Sequence, residues 1–586
     1  MMKTYKYILI IFLALTMSTA CDDFAELDLE PQDLISGNLV FEDQSLAEAN
    51  LAQIYESTLF MYNDYQGGVV NMVLDEGMGA VCRGFAYWQA PSWFPITVIN
   101  ADGIGPLDYW PYNNIREANT FIQGMSNSEF DPSYKSQRVA EARYLRAHMY
   151  FQMVKRYGGV PIITEPQSAD APLEELNVAR ASEQATYDFI ASEMDAIVDE
   201  LPENPETGRV NKFAALALKS RAMLYAGSIG QFGEVQSAGS GENQLQLGIP
   251  DASMYWQASY DASMELIGSG QFALYNEIPD DPAENFEQLF IDESNNPEKI
   301  FVEVFDQTLN KGHSWSRLSV PFEFRAEWGS NYCPYLNIIE EFEYADGTPG
   351  TISRDAINSD QLFDIDEVFR NRDPRFLATF FFPESEFQGG VARFHRRTIF
   401  NGDTVTSGTV GDGWPAAAPR RNYVNTGFLT RKMVDESQIG PVAESCDEDF
   451  IIFRYGEVIL NAAEAAFYLG REGEALELLN QIRARAGMPL RTSVTEEDLR
   501  HERQVELVFE DHRYWDLRRW RIAHEFLDGL SGKGLEYTYH YEEDKYDFHL
   551  KNAEAGVRTF QERHYYLPLG VSRIADNPNL IENPGY

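Results

Sequence analysis

Basic residues are scarce in this chain: 47 Lys and Arg stand against 92 Asp and Glu, and the formal net charge is −45. Such a surface repels a phosphate backbone, which excludes nucleic acid as a partner. It repels anionic membrane surfaces too, so a membrane link must rest on something other than charge. The acids are spread along the chain, as on a solvated surface. Cysteine is scarcer still, at Cys21, Cys82, Cys333 and Cys446. Their spacing fits no metal motif. At most one disulfide forms among the last three, and the sequence leaves its pairing open. A disulfide scaffold is excluded, and the fold must stand on a hydrophobic core. Catalytic signatures are missing as well. There is no GxxxxGK[ST] phosphate loop, no HExxH pair, no EF-hand loop and no GxSxG elbow, and the nine histidines are scattered. No cofactor is implied.

What is present begins with an apolar run. Lys3 and Lys6 precede the stretch from Tyr7 to Leu15, which is too short to span a bilayer, and the small residues Ser18, Thr19 and Ala20 follow. This predicts a secretory signal peptide over residues 1–20. Cys21 directly behind it resembles the acylated cysteine of a bacterial lipobox, although Ser18 departs from the usual Leu. Acyl chains contribute about 0.8 kcal/mol per buried CH₂, so several of them anchor a protein firmly. Losing Lys3 and Lys6 with the leader takes the formal charge from −45 to −47.

Helical periodicity dominates the rest. Ser45 with Glu48 three residues on predicts a capping box opening SLAEANLAQIYESTLF. YNNIREANTFIQGM places Ile115, Ala118, Phe121 and Ile122 on one face. A helix from Pro132 carries the stripe Ala142, Leu145, Met149 and Met153 and stops at Gly158-Gly159. Ser182 caps the next. NKFAALALKSRAMLYAGS is rich in small residues that permit close packing, and YWQASYDASMELIGSG follows. YGEVILNAAEAAFYLGREGEALELLNQIRARAG, with its Leu469-Gly470 turn, resembles a tetratricopeptide unit. The expected fold class is mainly α: a tetratricopeptide-like scaffold of about four helix pairs with long loop-rich insertions and a few short strands. The scaffold is expected over 41–65, 112–270 and 453–525, within a single body spanning 21–586. The insertions fall at 66–110 and 272–450, the latter with β-like runs such as KIFVEVF and RFLATFFF.

Two candidate chemistries follow. Glu506 and Glu510 are spaced i, i+4 as in a retaining pair of carboxylates. Arg503 and Arg513 would share their helical face, at i, i+3, i+7 and i+10. Arginines there keep both acids ionised, which is wrong for a general acid, so a structural ion network is the preferred reading. The aromatic insertions are the better lead. Tyr87, Trp88, Trp93 and Phe94 sit together near Arg83, Asn100 and Asp102. Trp315, Trp328, Tyr332 and Tyr335 sit together in the second insertion. Flat rings offer platforms to the C–H faces of sugars while polar neighbours bond the hydroxyls. The alternative is that the rings form small loop cores. The candidate ligand residues are Trp88, Trp93, Arg83, Asp102, Trp315, Trp328 and Tyr332.

Several segments in order resemble the SusD/RagB family of outer-membrane lipoproteins: CDDFAELDLEPQD, WPYNNIREANTFI, AEARYLRAHMYFQMVKRYGGVPI, FEYADGT, RNRDPRF, DFIIFRYGEVILNAAEAAFYLG, RQVELVFEDHRYWDLRRW and YYLPLGVSRIADNPNLIENPGY. Asp22 and Asp23 resemble the family's acidic surface-export signal. The resemblance implies a tetratricopeptide-like body with a loop-rich ligand face, lipid-anchored through Cys21 on the outside of the outer membrane. It implies a SusC-like TonB-dependent channel as partner and an oligosaccharide as ligand, with peptide as the alternative; apart from the resemblance, a surface glycosidase using loop carboxylates is the more remote reading. The closing tail, 564–586, is expected to lie extended, since Pro578 and Pro584 oppose a helix.

Overall fold

The computed structural model describes residues 39–59, 71–84, 95, 97, 99–101, 105–168, 170–240, 243–294, 296–326, 329–406, 424–442, 444–554 and 556–586. The helices that build the scaffold are α1 (Gln44–Leu59), α2 (Asn71–Met78), α3 (Tyr112–Asn127), α4 (Pro132–Tyr157), α5 (Glu183–Ile197), α6 (Lys212–Phe232) and α7 (Ser253–Gly268). After the second insertion come α8 (Tyr455–Tyr468), α9 (Glu472–Arg485), α10 (Glu496–Glu506) and α11 (Arg513–Arg519). Among the described residues no helix is long and apolar enough to cross a membrane.

Local chemistry explains most of the boundaries. Asp131 accepts from the Ser133 and Tyr134 amides and Pro132 fills the first turn of α4, while Gly158 takes φ +73° at its end. Ser182 caps α5 through the Ala185 amide at 3.0 Å. The first helix corrects the expected cap: it is Asp43, not Ser45, and its carboxylate accepts from the Ser45 amide at 2.7 Å. Glu48 is thereby released from a capping box and instead binds Arg138 at 2.6 Å.

Helices consecutive in the chain pack on one another. α4 rests on α1, α3 and α5; α6 on α5 and α7; α7 on α8; and α8 on α9 and α10. α4 and α6 lie at the centre and are buried nearly all round over much of their length. The small residues of α6 allow this. A Cβ on Gly227 would come within 2.7 Å of the Trp256 ring of α7. The tight turn between α8 and α9 needs Gly470 at φ +74°. The protein is thus mainly α, a tetratricopeptide-like scaffold of helix pairs with short strands in small sheets.

The second insertion leaves and returns through a neck. β1 (Lys299–Glu303) pairs antiparallel with β2 (Phe450–Arg454), directly before α8. The β-like run KIFVEVF is therefore a strand. RFLATFFF is mostly not: Asp373 caps a short helix at Pro374–Thr379, and only Phe380 and Phe381 are extended. The tail also differs from a purely extended one. Val571–Asp576 is a helical turn and a half, lying before Pro578. Asn583 then fastens the end to the body by donating to the carbonyls of Tyr157 (3.1 Å) and Leu567 (2.7 Å).

Candidate ligand-binding face

The two aromatic insertions meet at one small ladder. Cys82–Gly84 pairs antiparallel with Tyr332–Pro334 in the register Cys82 to Pro334, Arg83 to Cys333 and Gly84 to Tyr332. In an antiparallel pair the C-terminal end of one strand lies beside the N-terminal end of the other. The chain that runs on from Gly84 and the chain that arrives at Tyr332 therefore share one end of the ladder. The Asn425 main chain hydrogen-bonds the Cys333 thiol beside the same ladder.

Within this frame the candidates divide. Trp315 is 0% exposed and Tyr332 4%. Their rings stack at 4.9 Å with a 27° tilt, and the indole N–H donates to the Lys432 carbonyl at 2.8 Å. Phe509 meets the indole in an edge contact, with ring centroids 6.5 Å apart. Neither ring is the solvent-facing platform the sequence suggested. They are packed because segments distant in sequence, at Lys432 and Phe509, close on the stack. Arg83 is half-buried and its guanidinium donates to main-chain carbonyls of Gly84 (2.9 Å) and Ala553. Trp88, Trp93, Asp102 and Trp328 lie outside the described residues. The three thiols Cys82, Cys333 and Cys446 are buried and none is in a disulfide. Burial pushes the Cys333 thiol up to about 11.

The carboxylate pair is a structural network, but not by the expected helical face. α10 ends at Glu506, and Phe509 and Asp511 take left-handed φ of +64° and +63°. Glu510 is therefore off the helix. Arg503 pairs with Asp516 at 2.8 Å, not with either glutamate. The cations come from distant segments that sequence spacing could not reveal. Glu506 binds Arg375 (2.9 Å), Arg454 (2.8 Å) and Arg485, and Glu510 binds Lys432 and Arg454, both at 2.6 Å. Burial raises the Glu506 carboxyl, but the guanidinium groups of Arg485, Arg454 and Arg375 overcome it and hold the group well below the usual range. At 0% exposure it meets no solvent and no ligand.

Sequence reasoning missed an open cleft of about 770 Å³ whose lining includes Glu284, Glu287, Arg370, Phe382, Arg431 and Glu436. These residues are scattered over some 150 positions, so no local motif announces them.

The C-terminal half, residues 297–586, matches the model described as the SusD family, and residues 46–224 match that described as starch-binding, associating with the outer membrane. The chain belongs to the SusD/RagB family. A SusD-like protein of Bacteroides ovatus is 23% identical, with 99% of this chain and 97% of that one aligned. Among solved structures, a SusD-like protein of Bacteroides fragilis superposes with a TM-score of 0.71 at 24% identity, covering 93% of this chain and 98% of that one. A SusD-like carbohydrate-binding protein of the same species superposes with a TM-score of 0.68 at 23% identity, covering 92% and 99%. The shared fold extends over 93% of this chain.

Proposed function

We propose that this SusD-family protein is a cell-surface binding protein that captures oligosaccharides or polysaccharide fragments and passes them to a SusC-like TonB-dependent outer-membrane channel, without catalysis. The observation that carries this reading is the ladder of Cys82–Gly84 with Tyr332–Pro334, whose one end gathers the flanks of both aromatic insertions. Family membership and the family description of starch binding at the outer membrane support it. The burial of Glu506 in a cage of arginines removes the one carboxylate pair that suggested a hydrolase.

With Trp315 and Tyr332 committed to packing, the glycan platform falls to Trp88, Trp93 and Trp328, with Asp102 and the rim near Arg83 supplying polar contacts. Stacking a sugar on an exposed indole removes apolar surface at about 25 cal/mol per Å², so each platform contributes on the order of 1–2 kcal/mol. Several such contacts give micromolar-range affinity for an oligosaccharide and far less for a monosaccharide, which suits a protein that must release its cargo. Calorimetry with a glycan panel on Trp88→Ala, Trp93→Ala and Trp328→Ala is the test. Each active platform should weaken binding roughly five- to thirtyfold, on the same 1–2 kcal/mol. If all three variants bind like the parent, the platform assignment is wrong; if only peptides bind, the peptide alternative replaces the glycan. Anchoring through the acylated Cys21 is tested separately. Cys21→Ser should leave the outer-membrane fraction, and a variant that stays there after salt washing would refute the lipid anchor.

A further inference from the structure

A cluster of metal-ligating side chains sits at the base of the second insertion, and the glycan reading makes no use of it. His313 and Cys446 oppose each other across an isolated antiparallel bridge: the His313 amide donates to the Cys446 carbonyl at 2.8 Å, and the Cys446 amide to the His313 carbonyl at 3.1 Å. Directly opposed residues of an antiparallel pair carry their side chains on the same side. The backbone therefore forces an imidazole and a thiol together. Glu448, two residues beyond Cys446, returns to that side by the period of extended chain.

The result is compact. One ring nitrogen of His313, the Cys446 Sγ and a Glu448 carboxylate oxygen all lie within 4.8 Å of one another. The three residues are 2%, 0% and 8% exposed. Glu448 Oε2 stands 3.3 Å from His313 Nε2, on the side of the carboxylate that faces the cluster. Its other oxygen is held by Gln438 Nε2 at 2.7 Å. That is the arrangement of a ligating carboxylate: one oxygen oriented from behind, the other presented to the cluster.

We propose that His313, Cys446 and Glu448 form a buried site for a thiophilic divalent cation, zinc above all. The donor set decides the class. Calcium and magnesium require all-oxygen shells, whereas one thiolate, one imidazole and one carboxylate suit zinc and its neighbours. Thiolate and carboxylate together also neutralise the 2+ charge, which a buried site needs. Ligands of a tetrahedral zinc stand about 3.3–3.7 Å apart, so the three must close by at most about 1.5 Å, within reach of side-chain rotation. Binding has a definite chemical cost. The thiol binds as thiolate and its proton leaves to solvent. The ring now accepts the Trp315 amide on Nδ1 (3.2 Å) and places Nε2 at 3.0 Å from the Glu448 carbonyl. Coordination through Nε2 sends that nitrogen's proton to Nδ1 and opens the Trp315 contact. Coordination through Nδ1 replaces the Trp315 contact outright. The cation would clamp the segment leading into the Trp315–Tyr332 stack to the segment entering β2, the two ends of the insertion.

The test uses cobalt(II), because a chain of net charge −45 collects cations loosely and only a thiolate signature identifies this site. After chelator treatment the full-length chain should bind one equivalent of Co²⁺ with a sulfur-to-cobalt charge-transfer band in the near ultraviolet, and Zn²⁺ should displace it. Cys446→Ser should abolish the band and Cys333→Ser should keep it. Gln438→Leu, which removes only the orienting bond, should weaken affinity about tenfold or more. Should Cys446→Ser fail to fold, Glu448→Gln serves in its place, with loss of stoichiometric binding expected. A parent chain without the band at one equivalent overturns the site, as does a band that survives in Cys446→Ser.

Discussion

Replacing Glu506 by Gln keeps the shape of the side chain and removes its charge from the most buried point of the ion network. Charge-assisted hydrogen bonds contribute about 1.5–3 kcal/mol each, and Glu506 accepts from three arginines. The gross loss is therefore roughly 4–9 kcal/mol. Much is retained, because each arginine has other partners. Arg375 keeps Asp373 and Glu502, both at 2.7 Å; Arg454 keeps Glu298 at 2.7 Å and Glu510 at 2.6 Å; Arg485 keeps Glu298 at 3.2 Å. The amide oxygen of Gln also accepts one bond. The net cost should fall at about 3–5 kcal/mol, the range for stranding a buried charge. Urea denaturation near pH 7 measures it, with calorimetry on the folded protein as control. Pairing the change with Arg485→Met rebalances the charge and should recover about 1–2 kcal/mol of the loss. The pH dependence has a definite sign. The folded-state carboxyl is held well below its ordinary value of 4.5, so its stabilisation is present above that value and is lost as pH falls through the acid range. The gap between parent and variant should shrink below about pH 4.5. Unchanged denaturation together with lost glycan binding would refute the reasoning and move this acid into a ligand site.

Trp315→Ala should cost about 3–5 kcal/mol, the usual range for truncating a buried aromatic, while ligand affinity of the folded fraction holds; melting at the parent temperature would mean that the indole is not packed. Glu76 is buried beside Asp511, and burial first, then the Asp511 charge, pushes its carboxyl up to about 8. The folded state therefore keeps a proton that the unfolded chain loses near 4.5, and stability should decline between about pH 4.5 and 8 by about 1.4 kcal/mol per unit from this group. Glu76→Gln should flatten that decline in urea titrations across pH; an unaltered slope would assign the decline to other groups.

The sequence by itself carried whatever depends on near neighbours. The helical stripes of α3 and α4, the Ser182 cap, the Pro132 start and the Gly470 turn are set by interactions within four residues, so spacing alone exposes them. The mainly helical class followed from their number, and the family from motifs in fixed order. Chemistry that spans the chain was hidden. Whether Trp315 faces solvent depends on Tyr332, Lys432 and Phe509, none of which its local pattern names. The partners of Glu506 come from residues 375, 454 and 485, brought together only when the neck of β1 and β2 closes. The same closure sets His313 opposite Cys446, a juxtaposition of residues 133 positions apart for which no ligand-spacing motif exists. Periodicity is a property of a short stretch of backbone, whereas burial, ion pairing and ligand sets belong to surfaces that exist only once distant stretches have packed.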